Sequence, residues 1–121
     1  MAEPVDRIHL ERLATRFGSH FLLGLIDIFV AQGRERLAAA EQGAAAGDVG
    51  VIIAAAHALR SSAGNLGAGT LGKCAAEIER RGNAGATADA LAPMVPILGQ
   101  AFAAACAVLE TTRAEVERRT A

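Results

Sequence analysis

The stretch VIIAAAHALRSSAGNLGAGT, residues 51–70, decides the fold. Its apolar residues recur at alternating steps of four and three, a spacing that places them on one side of an α-helix. That apolar stripe consists of Ile52, Ala56, Leu59, Ala63 and Leu66. The glycine-rich run of residues 67–69 interrupts the pattern and predicts a tight turn. We therefore predict a helix over residues 48–65, a turn, and a second helix that returns antiparallel to the first.

Two further helices are predicted upstream of this hairpin. The first covers residues 4–17 and ends at Gly18, and the second covers residues 20–45 and ends at Gly47. Glycine commonly ends a helix, and Asp48 is suited to cap the start of the helix that follows. The first half of the second helix is apolar on two sides, so it needs two neighbours. We expect the first helix to cover that end of the second.

Two helices are also predicted downstream. One runs to Arg81, and the other begins near Leu91, where Pro93 and Pro96 predict an irregular first turn or two. The last helix has a second stripe with steps of four and three: Leu91, Val95, Leu98, Phe102, Ala105, Leu109, Thr112 and Val116. This spacing is typical of helices that pack nearly antiparallel. The predicted fold is therefore all-α, an up-down four-helix bundle with an additional N-terminal cover helix, in a single domain over residues 1–121.

The composition narrows the classes of function. The 121 residues carry 12 Lys and Arg against 13 Asp and Glu, a formal net charge of −1 with the two signs interspersed. A nucleic-acid-binding surface needs clustered basic residues, so we expect no nucleic-acid partner. The N-terminus does not resemble a signal peptide, and the most apolar stretch, residues 21–30, is too short to span a bilayer. We expect a cytoplasmic monomer without direct membrane contact.

The chain offers few groups for other chemistry. Cys74 and Cys106 lie in apolar helical positions and are interpreted as buried reduced thiols, with a disulfide as the alternative. His9 and His20 lie eleven residues apart across a predicted helix break, without further ligands at a metal-binding spacing. The glycines are interpreted as turn or packing residues, not as a phosphate-binding loop. We expect no bound metal or cofactor and no self-contained enzymatic activity.

His57 is the candidate reactive residue. At about 100° per residue, it lies roughly 120–140° from the centre of the apolar stripe, so we expect it at the solvent-facing boundary. Arg60, Ser61 and Gly64 lie beside it at helical spacing. An accessible imidazole without a second ligand nearby is suited to take a phosphoryl group on nitrogen. The alternative interpretation is an ordinary surface histidine.

The hairpin brings a second candidate to the same height. If the two helices are antiparallel about Ala68, Glu79 lies level with His57. A carboxylate there would accept the ring N–H and leave the other ring nitrogen free as a nucleophile. Glu79 also belongs to a run of charges with Glu77 and two following arginines, a pattern that is equally consistent with a solvated surface.

The run AHALRSSAGNLGA, residues 56–68, resembles the histidine-containing phosphotransfer (HPt) domain, and the resemblance continues through Leu71, Cys74, Ile78, Glu79 and Gly82. It covers roughly residues 6–83, including the apolar segment 21–29. The resemblance implies a phosphorelay carrier. Such a domain accepts a phosphoryl group from an aspartate of a response-regulator receiver domain, in some cases within a hybrid histidine kinase, and passes it to another receiver.

The resemblance also implies roles for individual residues. His57 matches the phosphorylated histidine, and Glu79 falls where the family often has glutamate or glutamine near that histidine. The family usually has lysine where Arg60 stands and glycine where Ser61 stands. Arg60 keeps the charge and is expected to stabilise the phosphoryl group, whereas Ser61 stands at the entrance of the site and either crowds the imidazole or donates a hydrogen bond to the phosphate. Mg²⁺ and the aspartate are expected to come from the receiver.

Two alternatives to the free carrier stay open. The change from glycine to Ser61 is compatible with an adaptor of the same fold that docks a receiver or an enzyme through the His57 face without turning over phosphate. A phosphoacceptor domain of a chemotaxis-type histidine kinase would need attached kinase domains. In each case we expect an apolar rim, formed by Ile53 and the second helix, to contact the partner.

Overall fold

The computed structural model describes residues 3–120, and this part of the chain forms six α-helices and no strand. The helices are α1 Arg7–Phe17, α2 Ser19–Ala46, α3 Val49–Leu66, α4 Gly69–Asn83, α5 Ala88–Leu91 and α6 Met94–Thr120. The predicted all-α fold class is confirmed. The α3–α4 hairpin is also present as predicted, with Gly67 in the left-handed region at a φ of 70°.

Helices α2, α3, α4 and α6 form the bundle. Helix α3 packs against α2 on one side and α4 on the other, and α6 packs against the same two helices. Helices α3 and α6 therefore lie diagonally across the bundle. The apolar stripe of α3 is fully buried, and the stripe of α6 lies in the same core. This arrangement leaves the opposite side of α3, which carries His57, open to solvent.

Helix α1 begins three residues later than the sequence pattern predicts. The Asp6 carboxylate accepts hydrogen bonds from the backbone N–H groups of Ile8 and His9, so Asp6 caps the helix and the residues before it stay outside. The Asp6 backbone N–H donates to the Gly67 carbonyl at 2.9 Å, and His9 Nε2 lies 2.9 Å from the Asn65 carbonyl oxygen. These contacts attach α1 to the α3–α4 turn.

The cover that α1 provides is only partial. Helix α1 packs against α2 and buries Leu10, in line with the predicted cover. Phe17 nevertheless stays half exposed beside Phe21 at a ring-centroid distance of 4.9 Å, and Ile28 of α2 is also exposed. The second apolar side of α2 thus remains largely at the surface.

The connection between α4 and α6 differs from the predicted irregular start of one long helix. Helix α4 continues to Asn83, and the short α5 then forms a separate turn capped by the Thr87 hydroxyl. Pro93 lies between α5 and α6, where a missing backbone N–H breaks the helix. Pro96 lies within the first turn of α6, where proline is tolerated because the first N–H groups of a helix lack intrahelical partners.

The two cysteines pack against the core. Cys74 and Cys106 are free and half-buried rather than fully buried, and burial raises the pKa of both thiols.

Among the described residues, α6 alone is long and apolar enough to cross a membrane by length and composition. Its stripe packs into the bundle core, and the core helix of a bundle has this same composition, so this property is weak support for a membrane span.

Candidate functional site

His57 lies in the middle of α3 with its side chain 57% exposed. Its neighbours Ala56 and Leu59 belong to the buried stripe, so the helix itself fixes the backbone from which the imidazole projects. The structure therefore places His57 on the solvent-facing side, as the helical periodicity predicts.

Glu79 on α4 reaches across the hairpin to His57. Its Oε2 atom lies 2.5 Å from His57 Nδ1, and its side chain is only 14% exposed. A carboxylate oxygen accepts hydrogen bonds, so Nδ1 carries the proton in this pair. Nε2 is then the ring nitrogen with a free lone pair. The alternative that Glu79 belongs to a solvated run of charges does not describe its position.

Arg60 completes this cluster one turn after His57. Its Nε atom forms an ion pair with Glu79 Oε1 at 2.9 Å, with the arginine side chain 47% exposed. Its Nη2 atom lies 3.5 Å from His57 Nδ1. The guanidinium therefore lies at the Nδ1 edge of the ring and not beside Nε2. This ion pair is not among the contacts predicted from the sequence, although the hairpin register that pairs His57 with Glu79 also places Arg60 near that carboxylate.

Close packing of α3 and α4 makes these contacts possible. Gly82 is buried one turn after Glu79, and a Cβ atom at this position would lie 2.5 Å from Ile53 Cγ1. Only a glycine fits under Ile53 without a shift of the Ile53 side chain or of one helix. Glu79 is thereby brought within hydrogen-bond distance of His57.

Ser61 is exposed and follows His57 by one helical turn. In the part of the chain that the structure describes, its hydroxyl forms no hydrogen bond, whereas the Ser62 hydroxyl donates to the Ala58 carbonyl at 3.0 Å. The structure thus brings His57, Arg60 and Glu79 into contact and leaves Ser61 beside them without a partner.

Apolar side chains lie on two sides of α3, one in the first half of the helix and the others toward its C-terminal end. Ile53 is half-buried against Gly82, on the α4 side of His57. On the other side, a groove between α2 and α3 is lined by Leu25, Ile28, Phe29, Gln32, Ser62 and Asn65, among others. Ile28 in this groove is 54% exposed. Helix α2 is predicted from the sequence as part of the apolar rim, but Ile28 is not identified there.

The other charges of α4 form a separate cluster. Glu77 accepts from Arg80 Nη2 at 2.6 Å and from Arg81 Nε at 2.8 Å. Hydrogen bonds from these two guanidinium groups lower the pKa of Glu77 from 4.5 to about 2. This cluster is exposed and does not contact His57.

Residues 3–120 contain no group of three or more His, Cys, Asp and Glu side chains that is placed to hold a metal ion. His9 bonds the Asn65 carbonyl, and no metal site forms between it and His20 in this part of the chain. The described site itself offers one oriented, accessible imidazole.

The structure resembles two solved phosphotransfer structures. The crystal structure of histidine-containing phosphotransfer protein B from Pseudomonas aeruginosa matches with a TM-score of 0.80 and 25% identity, over 95% of this chain and 98% of that chain. The HPT domain of a sensor hybrid histidine kinase from Shewanella has a TM-score of 0.80 over 93% of this chain and 96% of that one, and at 13% identity it shows the fold alone.

None of the curated proteins matches the sequence significantly. The family described as "Hpt domain" matches residues 24–119, which is most of the chain and includes the whole α3–α4 hairpin. The chain therefore belongs to the Hpt-domain family of histidine-containing phosphotransfer proteins.

Proposed function

We propose that this chain is a phosphorelay carrier that accepts a phosphoryl group on His57 from a receiver-domain aspartate and passes it to another receiver. Membership in the Hpt family gives the chain a histidine phosphotransfer role in a phosphorelay. The observation that carries the assignment to His57 is its 2.5 Å contact with Glu79, which leaves an exposed Nε2 with a free lone pair.

In the proposed transfer, the Nε2 lone pair attacks the phosphorus of the receiver's acyl phosphate. The N–P bond forms as the bond from phosphorus to the aspartate oxygen breaks, and the aspartate leaves as a carboxylate. Nδ1 keeps its proton, and Glu79 stabilises the positive charge that develops on the ring. The second transfer is the same step in reverse with a different receiver.

The other site residues contribute charge and access in this proposal. Arg60 supplies a permanent cation at the Nδ1 edge of the ring, from which its terminal nitrogens would turn toward the phosphoryl group on Nε2, and phosphoryl transfer depends chiefly on such positioning and charge neutralisation. Ser61 stands at the entrance of the site, where its hydroxyl either restricts the receiver or donates to the phosphoryl group. The receiver supplies the aspartate and its Mg²⁺, so the chain acts as a carrier and not as an enzyme in its own right.

The partner would dock along α3, over His57 and the apolar side chains on the two sides of the helix. Ile53 and Ile28 lie on opposite sides of α3, and partly exposed apolar residues around a polar centre are typical of a protein-binding surface. We propose a receiver domain as the partner, free or within a hybrid kinase, and a monomeric carrier in the cytoplasm.

The test is to label the purified chain in two ways. Phosphoramidate donates phosphate to histidine without a protein partner, and a phosphorylated receiver with Mg²⁺ tests the physiological step. We expect acid-labile, base-stable phosphate on the wild type and none on His57→Gln, with His20→Gln as a control that keeps the label.

The outcomes separate carrier from adaptor. Transfer from any receiver of a tested panel supports the carrier. Binding to receivers without labelling from any of them, while phosphoramidate still labels His57, would favour the adaptor that docks through the His57 face.

A further inference from the structure

We infer that Arg60 is a positioning residue for Glu79: its Nε side holds the carboxylate that fixes the His57 tautomer, and its terminal nitrogens remain available to the phosphoryl group. The second half of this inference rests on the proposed function. The first half concerns the unphosphorylated chain and is testable by itself.

The two oxygens of the Glu79 carboxylate are divided between two partners. Oε2 accepts from His57 Nδ1 at 2.5 Å, and Oε1 pairs with Arg60 Nε at 2.9 Å. At 14% exposure the carboxylate has little access to water, so it depends on protein partners. In residues 3–120 the Glu79 side chain has no other hydrogen bond or ion pair. Arg60 is therefore the group that keeps Oε2 directed at His57.

Arg60 does not act on the ring directly in this state. Its Nη2 atom is 3.5 Å from Nδ1, at the limit of hydrogen-bond distance. Nδ1 already carries the proton donated to Glu79, so two donors would face each other. The influence of Arg60 on the tautomer thus passes through Glu79.

The nitrogens of the Arg60 guanidinium also have different neighbours. The Nε edge faces Glu79, and neither Nη1 nor Nη2 pairs with a carboxylate in the described part of the chain. Arginine presents its N–H groups in a rigid planar fork, so Nε holds Glu79 while the terminal nitrogens, of which Nη2 lies 3.5 Å from His57 Nδ1, form no ion pair within residues 3–120. A lysine ammonium concentrates its charge at a single atom and lacks this separation. The arginine that stands where the family usually has lysine therefore allows both contacts at once.

The test measures the tautomer of the unphosphorylated chain. Long-range ¹H–¹⁵N NMR of the His57 ring is recorded at about pH 9, where histidine rings are ordinarily neutral. We expect the wild type to be predominantly Nδ1–H. In Arg60→Ala the ratio of Nδ1–H to Nε2–H should fall about threefold, the size of effect expected for an exposed ion pair.

Two variants make this measurement specific. Arg60→Lys keeps the charge but lacks Nε, so we expect a tautomer ratio between those of the wild type and Arg60→Ala. Arg80→Ala removes an arginine that pairs with Glu77 and not with Glu79, and it should leave the ratio unchanged. Circular dichroism checks that each variant is folded.

The sign of the change decides the inference. If Arg60 acted only through its charge, its removal would strengthen the pull of Glu79 on Nδ1–H, so an unchanged or higher ratio in Arg60→Ala would overturn the positioning role.

Phosphoramidate labelling tests the second half. Arg60→Ala should slow labelling by more than its tautomer ratio accounts for, and an equal loss would overturn the contact with the phosphoryl group. A wild-type chain that is never labelled would refute the proposed function and this second half with it, while the tautomer ratio still decides the first.

Discussion

Glu79 gives an exposed histidine a defined chemistry. A surface imidazole in water exchanges between two tautomers, but the contact of Nδ1 with Glu79 places the free lone pair on Nε2. The carboxylate comes from the next helix, so the reactive atom is selected by the hairpin and not by residues adjacent to His57 in sequence.

Removing the carboxylate should therefore slow phosphorylation without preventing it. We expect Glu79→Ala to label with phosphoramidate roughly 3- to 10-fold more slowly, because a charge-assisted hydrogen bond to a partly exposed ring contributes about 1 kcal/mol. Glu77→Ala is the matched control, since Glu77 also pairs with an arginine but does not contact His57. Equal rates for the wild type and Glu79→Ala would remove Glu79 from the mechanism.

Ser61 tests access to the imidazole. We expect Ser61→Gly to accept phosphate from a receiver up to a few-fold faster, because the side chain at the entrance of the site is removed. The substitution should cost about 0.5 kcal/mol of folding free energy, the difference in helix propensity between serine and glycine. Thr111→Ala on α6 serves as a control, because the Thr111 hydroxyl donates to the Ala107 carbonyl and lies away from the site. Slower transfer in Ser61→Gly would instead assign the hydroxyl to the phosphate.

The hairpin of α3 and α4 is the element on which the site depends. Gly82 lies under Ile53 and allows the close approach of the two helices. The stability of the hairpin and the orientation of the His57 ring thus both depend on the contact between Gly82 and Ile53, since any shift of α4 also moves Glu79 relative to His57.

Adding one methyl group between these helices should change both the stability of the protein and the tautomer of His57. We expect Gly82→Ala to lower the free energy of unfolding by about 1–3 kcal/mol through overpacking, and to reduce the Nδ1–H tautomer of His57. The double variant Gly82→Ala with Ile53→Ala removes the clash and should restore part of both. Denaturant unfolding and NMR provide the two measurements. A Gly82→Ala variant of unchanged stability and tautomer would show that the helices adjust freely.

The charged cluster of Glu77, Arg80 and Arg81 near the end of α4 predicts that the stability of the protein depends on pH. The pKa of Glu77 is lowered to about 2 from 4.5, so its favourable pairing is fully present above about pH 4.5 and is lost as the pH falls to about 2. The wild type should therefore lose its stability advantage over Glu77→Gln between these values. Denaturant midpoints measured at several pH values test this. A difference that stays constant down to pH 2 would contradict it.

The elements show how much the sequence determines. Strict stripes with steps of four and three identified α3 and α6. Asp48 and Gly67 defined the boundaries of α3 closely, and Gly47 defined the end of α2, because each has one dominant backbone role. The position of Glu79 followed from the turn alone. Local patterns did not predict the separate α5 or the exposure of Phe17, because both depend on how neighbouring helices meet.

The site was less predictable than the fold for a related reason. The sequence identifies His57, Arg60 and Glu79 as neighbours, but the division of one carboxylate between an imidazole and a guanidinium depends on side-chain rotamers. Periodicity and spacing contain no information on rotamers, so the ion pair between Arg60 and Glu79 needed the structure.

On the scale of the whole molecule, the bundle separates two similar exposed isoleucines. Ile28 lies in the groove between α2 and α3 and is 54% exposed, and Ile97 lies on α6 and is 56% exposed. Their exposure is nearly equal, but only the first adjoins the helix that carries His57.

This pair allows a matched test of the docking surface. We expect Ile28→Asp to weaken receiver binding by about tenfold or more, since a charge replaces an apolar contact. Ile97→Asp should leave binding unchanged, because α6 lies diagonally opposite α3. Isothermal titration calorimetry with a receiver measures both affinities. Equal losses in the two variants would place the receiver elsewhere or indicate a general loss of structure.

The diagonal arrangement of α3 and α6 also has a practical consequence. Because α6 contacts α2 and α4 and lies across the core from His57, a dye or a linker to a sensor chip fits on its outer side without covering the imidazole. Phosphate exchange is then measurable on an immobilised chain. The same four-helix geometry that buries the core thus makes the protein suitable as the detecting component of a phosphorylation biosensor.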